Sequence, residues 1–581
     1  MAIFDRLRAS GLLHPLTRFG TWRLEKTTLL YSLVLGAVAF IVLYPLWLLF
    51  AQAFQVGAGT ADTTWGLDNW RAAWTEPALA GSLANTIGLA LTRQALALAV
   101  GIPVAWLIAR TDLPGRGWFE FGFWVAVFLP SVPILVGWIL IFDGYNGLAN
   151  KLLEGLPFVQ RGPFDIFSWW GIVLTHLFGA TLGIKVMFLA PAFRSLDSAL
   201  EEAGRMSGAN SITTLRRVVL PLLAPAILVV TLLGLIQSLE AFEIELILGA
   251  PAGIDVFSTK IYRLLREQPP AYGSATALSM LILFMMTPLI LFQQRLIDRG
   301  HYATITGKHG ARLHALGPWK WPASAAIGTL VVAMTVVPST FVILGSFMKI
   351  FGAFQIPNPW TLQHWTTVLA SSGFLSSLAT TLILAISASV VAMSIFGILG
   401  YITVRTGFLG RGALDFLTWM PSLLPGIVIS LGLLWMFLST PAFRPLYGST
   451  AVLVIAISLS IMTRSVQMVK AALVQIGAEL EQAAWMSGAG WWTTVRRVIF
   501  PLAAPTLMVV GILAFSTASR TASHVALLAT ANNRPLVLLQ LDFLSDGNFE
   551  ASSVVGVVIL LLTLGAALLA RALGQQTIVR E

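Results

Sequence analysis

Cysteine is absent from all 581 residues, and charged residues make up only 11% of them. The first absence excludes disulfides, thiol nucleophiles, thiolate zinc sites and iron–sulfur clusters together, and with them most redox chemistry. The second excludes an ordinary cytosolic enzyme, because a soluble chain carries roughly 25% charged residues. What fills the space is apolar: 57% of the residues are hydrophobic and the mean hydropathy is +0.82. These are the proportions of a polytopic membrane protein. The net charge of +10 does not point to nucleic acid, since the basic residues stand in short clusters beside long apolar runs, where they mark the cytoplasmic side of a bilayer.

Crossing ~30 Å of hydrocarbon takes about 20 helical residues. Twelve stretches are long enough, near 28–53, 83–109, 119–142, 169–193, 218–239, 273–293, 321–348, 376–404, 414–438, 450–469, 498–517 and 554–573. The first ends in Ala51-Gln52-Ala53, which looks like a signal-peptide cleavage site, but its polar leader of 27 residues and long apolar run predict an uncleaved helix. Placing both termini in the cytoplasm leaves only 10 of the 36 Lys and Arg residues outside and puts Arg93 and Lys185 inside spans. That asymmetry sets the orientation. Outside, the stretches Trp65 to Trp74 and Trp360 to Trp365 read as membrane-interface aromatics. Pro130, Pro133, Pro421 and Pro425 predict kinks in the third and ninth spans, around a pathway.

The halves repeat each other. Residues 199–225, ALEEAGRMSGANSITTLRRVVLPLLAP, match residues 479–505, ELEQAAWMSGAGWWTTVRRVIFPLAAP, at 16 of 27 positions with an offset of 280. RTDLPGRG from Arg110 matches RTGFLGRG from Arg405 with an offset of 295, so about 15 extra residues fall in the first half, in the outer loop from Asp143 to Phe167. Both matches lie on the cytoplasmic side in the same order, which predicts two parallel six-span repeats about an axis along the membrane normal. Residues 294–320, polar and holding Gly300, Gly307, Gly310, Gly317 and Pro318, read as the linker between them. The expected organisation is a cytoplasmic segment over 1–27, a six-span domain over 28–293, the linker over 294–320, a second domain over 321–573 and a tail over 574–581.

Between the fourth and fifth spans of each repeat lies a polar, helix-favouring stretch interrupted by glycine. In the first copy Leu200 to Met206 predicts a short helix, Gly208 a sharp turn, and Ser211 or Thr213 the cap of a second helix running to Pro221. The second copy offers Glu481 to Met486, Gly488 and Thr493, with Pro501 and Pro505 opening the next span. Here the sequence resembles the integral membrane permeases of ABC importers that depend on a substrate-binding protein. Their signature is Glu-Ala-Ala, three residues, Gly, nine residues, then an aliphatic residue, any residue, Leu and Pro. The first copy supplies Glu202, Ala203, Gly204 in the last alanine's place, Gly208, Val218, Leu220 and Pro221. The second supplies Gln482, Ala483, Ala484, Gly488, Val498, Phe500 and Pro501, departing at the leading acid and at the leucine.

The resemblance covers essentially the whole chain and implies two permease domains fused end to end, all-α and similar to type I ABC importers. It implies that each loop docks in a groove of a cytoplasmic ABC ATPase, two copies in all, and that a periplasmic substrate-binding protein delivers the cargo. ATP and magnesium would then belong to the ATPase, and this chain would bind no cofactor of its own. Its residues agree: a phosphate loop needs Gly-x-x-x-x-Gly-Lys followed by Ser or Thr, whereas the only Gly-Lys pair, Gly307-Lys308, is followed by His309 and preceded at the first glycine's place by Tyr302.

Charge at membrane depth is costly and tends to be functional. The end of the fifth span gives Glu240, Glu243 and Glu245, and the equivalent region of the second half gives Arg520 and His524, a possible polar gate on the pathway. Arg93 and Lys185 are expected to snorkel or pair inside a bundle. The histidines, among them His301, His309 and His314 in the linker, form no metal pattern. The reading is an importer permease of the inner membrane whose resemblance extends to the ferric iron, thiamine and aminoethylphosphonate systems, with iron favoured. Its rival is a twelve-span secondary transporter driven by an ion gradient, which needs no ATPase and gives the duplicated glycine-turn loops no purpose.

Overall fold

The computed structural model describes residues 21–57, 63–157, 159–197, 199, 206, 208, 210–299 and 313–578. Within a bilayer a lone segment can satisfy its backbone only as a helix. The described residues comply, apart from a two-residue antiparallel pairing of Gln55–Val56 with Thr64–Trp65 in an outer loop. Among the described residues ten helices are long and apolar enough to cross: span 1 (Thr28–Phe54), span 2 (Leu79–Arg110), span 4 (Trp169–Arg194), span 5 (Leu215–Leu239), span 6 (Tyr272–Gln293), span 7 (Gly317–Phe347), span 8 (Ser372–Arg405), span 10 (Thr450–Gln475), span 11 (Trp491–Arg520) and span 12 (Phe549–Ala572). Arg464 lies in the middle of span 10, at membrane depth like Arg93 and Lys185.

Spans 3 and 9 are broken rather than kinked. Arg116–Phe128 meets Ser131–Phe142 at 103°, and Arg411–Leu423 meets Gly426–Ser439 at 110°, so the described residues hold twelve spans when each bent pair counts as one. The breaks fall at Leu129-Pro130 and Leu424-Pro425. Proline has no amide hydrogen to continue the ladder, and its ring pushes the preceding residue out of the helical region. Leu129 and Leu424 are accordingly extended, with ψ of 135° and 125°.

The halves exchange their first helices. Span 1 packs on broken span 9 as well as on span 6, and span 7 packs on broken span 3 as well as on span 12. The two seats correspond. Gly137 of span 3 lies so close to span 7 that a Cβ on it would stand 2.1 Å from the Pro338 carbonyl oxygen, and its counterpart Gly432 meets Pro45 of span 1 at 3.2 Å. Only glycine permits the first approach.

The end of the linker is strapped to the loop after span 2. His314 N–H donates to the Arg110 carbonyl (2.8 Å), Asp112 N–H donates to the His314 carbonyl (3.1 Å), and Leu316 N–H donates to Asp112 Oδ1 (2.9 Å). Lys320 Nζ stands 3.3 Å from Asp112 Oδ2. The Leu316 amide, with help from Lys320, holds the Asp112 carboxyl below the usual carboxylate range. His301 and His309 lie outside the described residues, as do Gly300, Gly307 and Gly310.

Candidate functional site

The second cytoplasmic loop shows why alanine and glycine stand four apart in its motif. The helix Glu479–Met486 ends with Gly488 at φ +80°. Gly488 N–H donates to the Trp485 carbonyl (2.9 Å), and Ala489 N–H reaches back to the Ala484 carbonyl (3.0 Å). This paired closure of a helix C-terminus requires a left-handed residue in the position of Gly488. The chain then enters Trp491–Thr494, capped by Gly490 with Thr493 inside the helix. A widened turn over Val495–Ile499, in which Phe500 N–H bonds to Val495 O, leads without interruption into span 11. Phe500-Pro501 therefore marks where the loop becomes the span, since Pro501 has no N–H for the regular ladder.

The first loop repeats what can be described of this. Gly208 has φ +80°, and Leu215–Val219 forms the same widened turn, containing Val218 and leading into Leu220-Pro221. The cap is Asn210 rather than Ser211 or Thr213, for its Oδ1 accepts from Thr213 N–H at 2.8 Å. Glu202, Ala203 and Gly204 lie outside the described residues.

Two arginines that the sequence reading used only for alignment hold these loops in place. Arg405, at the end of span 8, donates to the carbonyls of Leu473 and Ile476, where span 10 ends, and its Nε lies 3.4 Å from Glu481 Oε1. Its counterpart Arg110 is fully buried and donates to the Leu196 carbonyl, the equivalent of Ile476. The signal was present in the sequence, since Arg110 and Arg405 open the second duplicated motif. Glu481, one residue before Gln482, is buried and 3.4 Å from the Tyr401 hydroxyl. Burial pushes its carboxyl up from the ordinary range, against the opposing pull of Arg405 and the Tyr401 hydrogen bond. Trp491 also faces inward, edge-on to Tyr401 and to Tyr31 of span 1, whereas Trp485, Met486 and Trp492 are exposed.

Four of the five gate residues are linked, since Glu240, Arg520 and His524 lie within electrostatic reach of Arg464 and Arg520 lies within reach of Glu243. Glu243 reaches across to the second half, where its Oε1 accepts from the backbone N–H groups of Ala522 and Ser523 at 3.2 Å each. Arg520 reaches the other way and donates to the carbonyls of Val127 (3.0 Å) and Leu129 (3.1 Å), which the break in span 3 leaves without helical partners. Glu245 turns into its own half. Its Oε1 meets Arg93 Nη1 at 3.0 Å and His176 Nε2 at 2.8 Å, and the Arg93 and Glu245 side chains are 2% and 1% exposed. Glu240 lies within electrostatic reach of Arg464 of span 10, and the His524 ring lies beside Ser523. Arg93 thus pairs inside a bundle, while Lys185, also buried, donates to the Val230 carbonyl at 2.7 Å. Among the described residues no group of three or more His, Asp or Glu could hold a metal ion.

The family described as binding-protein-dependent transport system inner membrane component matches residues 101–300 and 394–579. A probable ABC transporter permease of Sinorhizobium fredii is 28% identical over 79% of this chain and 81% of its own length. A ferric transport system permease of Actinobacillus pleuropneumoniae is 26% identical over 76% of this chain, and a putative one of Haemophilus influenzae is 28% identical over 70%. In both cases the chain spans 64% of the relative's length. With two copies of the family's domain covering most of its length, and ten or more apolar helices to span with, the chain belongs to this family of transport permeases as a fused, multi-pass inner-membrane protein.

Proposed function

We propose that the chain is the transmembrane subunit of an ATP-driven ABC importer. It takes a small solute, ferric iron by preference, from a periplasmic binding protein and releases it into the cytoplasm. The observation that carries this reading is the pair of equivalent glycine-turn loops, each continuous with a span, in a chain that bears the family domain twice. One ATPase docks on each loop through the residues around Gly208 and Gly488, and ATP with its magnesium stays on those subunits. A rigid helix that runs from the dock into the span transmits ATPase closure as a rocking of one bundle against the other. Glu243 and Arg520, each holding backbone of the opposite half, serve as the latch between bundles. Iron is favoured by similarity to the two ferric permeases.

The test is stoichiometry and hydrolysis. Purified alone, the chain shows no ATPase activity, and with its cognate ATPase it forms a complex of one permease to two ATPase subunits. Substantial hydrolysis by the isolated chain, or a stable complex with a single ATPase, overturns the proposal.

A further inference from the structure

The first half contains a polar cavity whose lining the second half does not repeat. Arg93 and Gln94 of span 2 and His176 and Lys185 of span 4 correspond, at the repeat offsets, to Ala388, Ser389, Ala456 and Ser465, and Glu245 corresponds to Val525. Arg93, Gln94, His176 and Lys185, but not Glu245, line a cavity of about 140 Å³, with Arg93, Gln94, Lys185 and Ser238 as its buried floor and His176, Thr181 and Gln237 at its half-buried rim. At the rim, span 4 is opened by a wide turn over Leu177–Thr181, within which Gly179 leaves the helical region at φ −88°, ψ −141°. Gly234 keeps the floor clear. A Cβ there would stand 2.3 Å from Gln94 Oε1 and 2.4 Å from Lys185 Nζ.

The titratable side chains that line this cavity are all basic. Glu245 is shared by Arg93 and His176 through a single oxygen. The Lys185 ammonium, with three donors to place, makes one hydrogen bond, to the Val230 carbonyl, and meets no carboxylate among the described residues. A buried ammonium without a counter-charge is costly in a membrane and is kept where it serves a ligand. Gln94 commits its amide hydrogens to the Gly234 carbonyl and Ser238 Oγ, each at 2.9 Å, which fixes the floor.

We propose that this cavity seats the negatively charged group of the cargo, so that the cargo is a small anionic solute bearing a phosphate, phosphonate or carboxylate group. Lys185 supplies the counter-charge, Arg93 the second cation, and Gln237 and Thr181 the polar mouth. A bare ferric ion is repelled by this floor, and iron enters only within an anionic complex. The role as cargo site rests on the importer reading, whereas anion binding does not.

The test uses the full chain purified in detergent in an oxyanion-free buffer, titrated calorimetrically with orthophosphate, methylphosphonate and citrate at constant ionic strength. At least one probe binds saturably and is not displaced by a tenfold excess of chloride. Lys185→Gln weakens binding by about 30-fold or more, the usual result of truncating one partner of a buried charge pair. Gln237→Leu, which leaves every buried charge in place, weakens it as well and serves if Lys185→Gln does not fold. The proposal is overturned if no probe binds, if chloride displaces the probes as an ordinary counter-ion would, or if both variants bind as the natural chain does. ATPase docking measured on the same preparation separates the two readings. Docking without anion binding removes only the cavity's role, and anion binding without docking removes only the importer.

Discussion

Replacing Gly488 by valine perturbs the loop closure by backbone strain alone. Nothing lies within 4 Å of a Cβ built at this position, so the new side chain meets no neighbour. What it meets is its own backbone: at φ +80° an L-residue loses about 1–2 kcal/mol, with β-branched residues at the upper end, while asparagine visits this region far more readily. Unwinding the turn to relieve the strain gives up the hydrogen bonds to Trp485 and Ala484, so the docking-competent loop is depleted by the same 1–2 kcal/mol. At ~1.4 kcal/mol per tenfold, Gly488→Val weakens association with the ATPase by about 5- to 30-fold, and Gly488→Asn by about threefold or less. The assay is binding of the cognate ATPase to each purified permease, with melting temperature as the control for folding. Equal losses for Val and Asn, or no loss for Val, would refute the argument from φ.

Three further outcomes follow from the loops and the strap. Arg405→Gln leaves the buried Glu481 carboxylate uncompensated at about 3–5 kcal/mol, whereas Glu481→Gln changes stability by about 1 kcal/mol or less; a spin label on Met486→Cys, the sole cysteine, reads mobility in the first and order in the second. Because burial in the folded loop raises the Glu481 pKa, the natural loop is firmest at low pH and loosens as pH rises through that value. Trp485→Ala with Trp492→Ala, both exposed, reduces ATPase pull-down more than Glu202→Ala does, and the difference persists at high salt because aromatic anchors outweigh an exposed ion pair; equal losses count against it. Asp112→Ala speeds amide hydrogen exchange at Leu316 at neutral pH. In the natural chain the strap holds above the unfolded carboxyl value of about 3.9 and fails only as pH falls through the lower folded one.

Spans, sides and the duplicated loops were legible in the sequence because hydropathy, basic-residue bias and self-similarity are properties of the chain itself. Direction and partnership are not. Hydropathy assigns one span to 119–142, and Pro130 warns of a bend, but no periodicity reports a turn of 103°. Nor does it report that span 1 is housed by span 9. Trp491 and Trp492 are identical neighbours in the sequence, yet only Trp492 is exposed, because Tyr31 arrives from the far end of the chain. Arg93 and Glu245 stand 152 residues apart, and a charge in an apolar run announces the need for a partner without naming it. The proposed gate rested on the equivalence of the two halves, which sets Glu243 and Arg520 within reach of each other but does not report that Glu245 turns into the first half.

The exchange of first helices has a consequence for how the protein is made. The break in span 3 leaves the ribosome with its Val127 and Leu129 carbonyls bare, and Arg520, which satisfies them, lies about 391 residues later. At roughly 5–20 residues per second of synthesis, the broken helix waits on the order of 20–80 s in the membrane for its cap. Span 7 comes sooner, directly after the linker, and covers the same break on its Gly137 side. Span 1 waits in turn for span 9. Carrying both halves on one polypeptide delivers these partners in a fixed order and in equal number, and holds them together at a concentration set by the linker rather than by chance encounter in the bilayer.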